Sequence, residues 1–462
     1  MNLRLDFISV YPIFVTLAQI SIILALIHMI YKRRNPTTMI SWILFMILIP
    51  YLAVFLYFIF GTRKRFKNYG KEHIKVPRKQ KTIKHKNAID SILLNNGLAS
   101  PSAKEKLLIC TDYVQAYLHF LKHIKNAKTS IYISTYVFKY DETTKEILKA
   151  LEEKLQEGLE VKILLDSLGS WKTYLAQGHF KTFKKLGGEL KFFMPILKMP
   201  FRNYINLRNH RKIYLFDKKI VLSGGMNLSK DYLGKKHKAH RWKDMLFLCE
   251  GASVGLYLKI FSSDWYYATK QTIDIPHFED KTLGNTLVQV IPSGPDVPND
   301  VLFEALICAI YSSKKRIWIV TPYFVPNEAL SQALIVAKHR GLEVKVISPQ
   351  HSNNFLADLT RSSFLRELKE HNVDVHLYKG SMLHAKAVLF DSSWVMLGSV
   401  NLDNRSLFLN YEVATFVSSE QLIKQVELWM NDLLANSTQN FKKASLPRIM
   451  IENLMRVIAP QM

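Results

Sequence analysis

The chain has 462 residues, room for two or three domains with cores of their own. Its 63 Lys and Arg against 38 Asp and Glu leave a formal charge of +25, which calls for a polyanionic partner, either a nucleic acid or an acidic lipid surface. The three cysteines, Cys110, Cys249 and Cys308, lie far apart in or beside apolar runs, which excludes a disulfide framework and a cysteine metal site and predicts buried free thiols.

Two apolar stretches open the chain, Phe7 to Tyr31 and Met39 to Phe60, neither holding an Asp, Glu, Lys or Arg. Each exceeds the roughly 20 residues a helix needs to cross a bilayer, so residues 1–62 read as a two-helix transmembrane hairpin. The first is too long for the apolar part of a cleaved signal and a second follows closely, so cleavage is not expected. Lys32, Arg33 and Arg34 mark one side. Arg4 and the run of Arg63, Lys64, Arg65, Lys67, Lys71, Lys75, Arg78 and Lys79 mark the other, which puts both ends of the hairpin in the cytoplasm. Residues 63–106 form a polybasic connector, each basic residue near an anionic surface contributing about 1 kcal/mol. Composition leaves lipid and nucleic acid open, and the apolar spans favour lipid.

Two α/β stretches follow, 107–275 and 286–440, and the second repeats the first. Ile131 to Phe138 corresponds to Ile317 to Phe324, each rich in β-branched and aromatic residues. Helical stretches at Glu146–Glu157 and Ala329–His339 come next, then the pentapeptide Gly-Leu-Glu-Val-Lys twice, at Gly158 and Gly341. The glycine suits a helix C-terminus and the rest begins a strand. Alternating strands and helices predict mostly parallel sheets covered by helices. Ile273 to Asn285 connects the halves. The tail, 441–462, carries Ile449, Ile451, Leu454, Val457 and Ile458 with arginines between them, a pattern that fits membrane docking and packing on a lobe equally well.

A six-part signature recurs in the two halves. His210, Lys212, Asp217, Gly224, Gly225 and Asn227 match His384, Lys386, Asp391, Gly398, Ser399 and Asn401 without an insertion. His and Lys two apart on a strand share a face, so each half presents an imidazole and an ammonium to one cleft. The Asp falls at a turn between two strands. An imidazole can serve as nucleophile or as general acid and base, and lysines and asparagines supply donors for a phosphoryl transition state. H-x-K also occurs at His73, His123 and His179, where Gln80, Ser130 and Leu186 stand in place of the Asp.

At these residues the chain resembles the phospholipase D superfamily, and within it the bacterial cardiolipin synthases. Blocks outside the signature carry the resemblance too: Asn206 to Asn209, Gln289 to Asp296, Thr321 to Pro326, and Asn401 to Ser406 with Asn410 and Glu412. The resemblance implies two homologous lobes with helix-covered mixed sheets sharing one active site. His210, Lys212, Asp217, His384, Lys386 and Asp391 would be the catalytic set, with Asn227, Asn401, Asp244 and Glu412 binding phosphate or supporting the histidines. It also implies a phosphatidyl group passed from one phosphatidylglycerol to another through a phosphatidyl-histidine, with glycerol released. His210 is the expected nucleophile and His384 the acid and base. No metal or nucleotide cofactor is called for, and the partners would be phosphatidylglycerol and an anionic bacterial cell membrane rather than nucleic acid. A phosphodiesterase of the same superfamily, hydrolysing phospholipid or nucleic acid, would need the same residues.

Overall fold

The first element is an uninterrupted apolar helix, α1 (Leu3–Tyr31). Its segment Pro12–Tyr31 has 20 residues and a mean hydropathy of 2.4, enough by length and composition to cross a membrane. The second expected span is not one helix. It is divided into α2 (Pro36–Leu48) and α3 (Pro50–Phe60) at Ile49, whose φ of −141° and ψ of 73° leave the helical region. Proline explains the break: Pro50 has no N–H, and its ring drives the preceding residue out of the helical conformation. Hydrogen bonds from Ile49 N to Phe45 O and from Ala53 N to Ile49 O, both 2.9 Å, continue on either side, so the interruption is local. His28 Nδ1 lies 2.7 Å from the Tyr57 hydroxyl and ties α1 to α3. The computed structural model describes residues 3–32, 36–61, 88–98, 101–197, 206–278, 282–297, 299–440 and 444–457, so the basic run from Arg63 to Lys86 lies outside the described residues.

The far end of the expected connector is folded. Helix α4 (Ala88–Asn95) buries Ile89 and Leu93, with Leu98 beyond it, against Leu302 and Leu306 of the helix Val301–Ser312 in the second half. Asn96 Nδ2 donates to Glu304 at 3.2 Å. A strand then begins at Ser102, inside the stretch expected to be linker.

The first half contains β1 (Ser102–Cys110), β2 (Ser130–Thr135), β3 (Glu160–Asp166), β4 (Glu189–Phe193), β5 (Ile213–Phe216), β6 (Ile220–Gly224) and β7 (Leu246–Glu250). The second contains β8 (Thr286–Ser293), β9 (Arg316–Val320), β10 (Phe324–Val325), β11 (Glu343–Pro349), β12 (Asp374–Tyr378), β13 (Ala387–Phe390), β14 (Trp394–Gly398), β15 (Leu402–Asp403), β16 (Glu412–Ser418) and β17 (Ser437–Thr438). Fifteen of these strands form one sheet, ordered β17-β12-β11-β9-β13-β14-β16-β8-β1-β7-β6-β5-β2-β3-β4. Outward from its centre the halves match: β1-β7-β6-β5-β2-β3-β4 on one side, β8-β16-β14-β13-β9-β11-β12 on the other. The fold is thus mixed α/β with two homologous lobes, joined where Ser102 pairs with Val288 and Glu105 with Thr286.

The expectation of mostly parallel sheets holds for β2-β3-β4, for β9-β11-β12 and for the separate pair β10-β15. The motif hairpins β5-β6 and β13-β14 and the strands beside them run antiparallel. Helix α5 (Tyr113–Asn126) is capped by Asp112, and α6 (Glu142–Gln156) by a box between Asp141 and Thr144. Gly158 and Gly341, at φ of 86° and 87°, end corresponding helices as the repeated pentapeptide predicts. One buried cluster joins Phe247 and Trp265 of the first lobe to Val290, Leu389 and Met430 of the second. Cys110 and Cys249 are buried free thiols as expected, and Cys308 is half-buried.

Candidate active site

Neither motif histidine sits on a strand. His210 and His384 lie on extended segments leading into β5 and β13, because their backbones pair with the opposite lobe. His210 N donates to Tyr411 O at 2.9 Å, and Tyr411 N returns to Arg208 O at 2.9 Å. His384 N donates to Lys243 O at 2.7 Å, and Lys243 N to Met382 O at 2.8 Å. In both, the residue before a carboxylate is stitched to the segment carrying the other lobe's histidine. This is a two-fold relation written in backbone hydrogen bonds.

The carboxylates therefore cross. Glu412 of the second lobe meets His210 of the first, with Nδ1 2.9 and 3.1 Å from its two oxygens. Asp244 of the first lobe meets His384 of the second, Nδ1 to Oδ2 at 2.7 Å. A carboxylate on Nδ1 fixes ring orientation and leaves Nε2 for chemistry. Both histidines line a cavity of about 510 Å³ that also receives Asn227, Asn401 and Asn410. Asn227 Oδ1 accepts from Val137 N at 3.1 Å, whereas the buried Oδ1 atoms of Asn401 and Asn410 have no hydrogen-bond partner in the protein. Those two amides line the cleft as unused polar groups.

Both lysines are buried behind the histidines. Lys212 Nζ donates to His210 O at 2.8 Å. Lys386 Nζ lies 2.8 Å from His384 Nδ1 and also contacts its carbonyl. Burial, opposed by Glu412, takes Lys212 down to about 7, and burial opposed by Asp244 takes Lys386 down to about 8. Burial and then Lys386 hold His384 down at about 3, and burial lowers His210 as well. Burial alone would raise both carboxylates. Lys386 and His384 overcome it for Asp244, and His210 and Lys212 for Glu412, so both stay below the usual carboxylate range. The cleft presents neutral imidazoles, and these anionic carboxylates and the two lysines stand behind them rather than in its lining.

Asp217 and Asp391 do not line the cleft. They sit in the hairpin turns at φ of 52° and 53°. Asp217 accepts from the backbone N–H groups of Lys128, Thr129 and Ser130, and Asp391 from those of Lys314, Lys315 and Arg316. Each fastens its hairpin to the strand beginning at β2 or β9. Sequence reasoning assigned no role to several cleft residues: Tyr136, Tyr232, Trp242, Tyr323, Arg208 and Arg405. The Tyr136 ring packs edge-on against His210 at 5.0 Å, and Tyr232 does the same to His384 at 5.2 Å. Arg208, 3.4 Å from Asp166, and Arg405, 3.0 Å from Asn206 Oδ1, bring positive charge to the wall. The signal was present, since Arg208 lies in the block Asn206 to Asn209 and Arg405 in the block Asn401 to Ser406, both adjoining the motifs.

Known proteins resemble this chain along most of its length. The family profile described as "Cardiolipin synthase, PLD-like domain" matches residues 120–265 and 306–434, one copy in each lobe. A second, "Phospholipase_D-nuclease N-terminal", matches residues 20–61. A cardiolipin synthase of Clostridium perfringens strain SM101 is 31% identical over 459 residues, covering 93% of this chain and 95% of the relative. Cardiolipin synthase 1 of Bacillus cereus is 29% identical over 492 residues, 99% of this chain and 96% of that one. The crystal structure of phosphatidylserine synthase from Haemophilus influenzae shares the fold, with a TM-score of 0.60 at 16% identity over 81% of this chain and all of that one. The chain belongs to the cardiolipin synthase family of phospholipase D-like proteins.

Proposed function

We propose that this enzyme, a phosphatidyltransferase, joins two phosphatidylglycerol molecules into one cardiolipin and releases glycerol. The observation that carries the reading is the pair of buried histidines in one cleft, each oriented by a carboxylate of the opposite lobe. His210 Nε2 attacks the phosphorus of the first phosphatidylglycerol, and the P–O bond to its headgroup glycerol breaks. His384 gives that glycerol oxygen its proton. His384 then takes the proton from the terminal headgroup hydroxyl of a second phosphatidylglycerol, whose oxygen displaces His210 from phosphorus. A covalent intermediate conserves the phosphodiester without a nucleotide. Lys212, Lys386, Asn227 and Asn401 hold the phosphate oxygens, and Asn410 offers an acceptor to a glycerol hydroxyl.

At about 3, His384 is neutral in the empty cleft. Delivery of a proton to glycerol therefore calls on the substrate's negative charge, which strengthens the imidazole's hold on a proton.

In this reading residues 1–62 are a two-span hairpin in a bacterial cell membrane, with the kinked α2–α3 unit as the second span and the lobes on the cytoplasmic side. Residues 63–106 lead from the membrane, 107–275 and 286–440 are the lobes, and 441–462 are the tail. The positive charge serves anionic lipid rather than nucleic acid. Hydrolysis would use the same residues, but relatives named as synthases match along nearly the whole chain, apolar N-terminus included. Incubating the purified full chain with phosphatidylglycerol and separating the lipids tests the reading. Cardiolipin and free glycerol in equal amounts are expected, and phosphatidic acid as the main product would overturn it.

A further inference from the structure

The last described helix, Leu446–Leu454, is turned the opposite way from an ordinary surface helix. Its polar side faces the protein. Glu452, fully buried, bonds Arg366 at 2.8 Å, and Asn453 Oδ1 accepts from Ser363 at 2.7 Å. Both contacts fall on the helix Phe355–Glu370. Its apolar side faces outward: Leu446, Met450, Ile451 and Leu454 are exposed, Met450 at 72%. At 100° per residue these four fill an arc of about 140°, the width of face that surface helices normally bury. The helix Phe355–Glu370 continues the pattern. It begins with exposed Phe355 and Leu356, while Asn353, Asn354 and Ala357 around them line the cleft. On the other lip, Gly169 lines the cleft and exposed Trp171 and Leu175 follow it. Exposed Arg448 and Lys172 border these patches.

We propose that this outward apolar face, with Phe355 and Leu356, inserts into the anionic bilayer beside the mouth of the cleft. Three observations select a lipid surface over a second protein. Exposed Phe355 and Leu356, on the helix that carries this face, and Trp171 and Leu175 flank a cleft whose substrates, on the function proposed above, keep their acyl chains in a bilayer. Helix α1 is of membrane-spanning length and belongs to the same chain. Finally, the chain carries a formal charge of +25, and basic residues flanking an apolar stripe are what an interfacial helix needs on anionic headgroups. The lobes would then rest on the membrane at two points, the N-terminal helices and this face, bringing the histidines to headgroup depth.

Two measurements on the full chain in phosphatidylglycerol-containing vesicles test this. In the first, the photo-crosslinker p-benzoylphenylalanine replaces Met450, a readout independent of activity. A lipid adduct that diminishes in neutral phosphatidylcholine vesicles is expected; an adduct to a second copy of the chain, or none at all, would overturn the proposal. The second combines Leu446→Gln, Met450→Gln, Ile451→Gln and Leu454→Gln, all at exposed positions. Turnover on vesicles should fall about tenfold, while turnover of monomeric short-chain phosphatidylglycerol stays within about twofold. Equal loss on both substrates, or on neither, counts against it. If the wild-type chain makes no cardiolipin, the functional reading fails alone and the crosslinking result still decides the docking face.

Discussion

The two motif copies trace the same path and support it differently. In the first, the residue between His and Lys is Arg211, fully buried, reaching Asp264 of its own lobe at 2.8 Å and Asp296 of the other at 3.0 Å. Its remaining groups bond Ser293 O at 3.0 Å and Glu412 O at 3.1 Å. In the second, the equivalent residue is Ala385, packed in apolar core. The carboxylate supports differ as well. Glu412 receives the Ser399 hydroxyl, whereas a Cβ on Gly225 would stand 2.2 Å from Asp244 Oδ1. Glutamate with serine and aspartate with glycine are two ways to fill the same space. Lys386 reaches its histidine's ring, while Lys212 reaches only its histidine's carbonyl. A two-fold backbone thus carries two imidazoles in unlike surroundings, in keeping with the unlike roles proposed for them.

Breaking either histidine should have the largest effect. His210→Ala and His384→Ala should each lower turnover by roughly 10⁴-fold or more. Acid-quenched radiolabelled lipid should remain on the His384 variant, given a donor with an easily expelled leaving group, and be absent from the His210 variant. Because the partners cross, Glu412→Gln should resemble the first and Asp244→Asn the second. A reversed pattern would swap the roles.

The brace comes next. Arg211→Met leaves Asp264 and Asp296 facing each other at the lobe junction and should cost about 3–5 kcal/mol, read as a lower urea midpoint. Ala385→Gly should cost about 1 kcal/mol. Equal effects would show that Arg211 does not brace the junction.

A smaller contrast separates the carboxylate supports. Ser399→Gly removes the hydroxyl that donates to Glu412 and accepts from Val413 N, and loss of the Glu412 bond alone should cost about 1 kcal/mol or some fivefold in kcat. Gly225→Ser pushes Asp244 off His384 and should cost more, and kinetics of the two variants side by side would reveal the order. The mildest effect is on pH. If, as proposed, Lys212 and Lys386 hold phosphate, they do so only when protonated, and raising pH through about 7 and about 8 removes their charge. kcat/KM should fall above neutrality, while kcat, reporting the complex in which phosphate raises both lysines, should fall at higher pH. Coincident alkaline limbs would argue that the lysines do not meet the phosphate.

What could be read in advance followed chain distance. The hairpins, their turn aspartates and the repeat are set by residues a few positions apart, and the periodicities expressed them. The crossing of Glu412 to His210 and Asp244 to His384 spans far longer separations and depends on how the lobes dock, which no local pattern encodes. Pro50 was visible within the second apolar stretch, but length and hydropathy outweighed it, and the helix broke there. The tail's period was also visible. Which side of Leu446–Leu454 would face the protein depended on Arg366 and Ser363 waiting across the gap to pair with Glu452 and Asn453.

One sheet running through both lobes has a consequence for turnover. Proteins whose two halves close over a substrate have a hinge between them, but here β1 and β8 are hydrogen-bonded neighbours and the motif segments are stitched across the junction. Such a body is expected to stay shut through the cycle. A slot of constant width would make the departing alcohol and the arriving one trade places by moving along it. The timing of exchange would then fall to the loops at its rim and to lateral diffusion of lipids, not to any rearrangement of the scaffold.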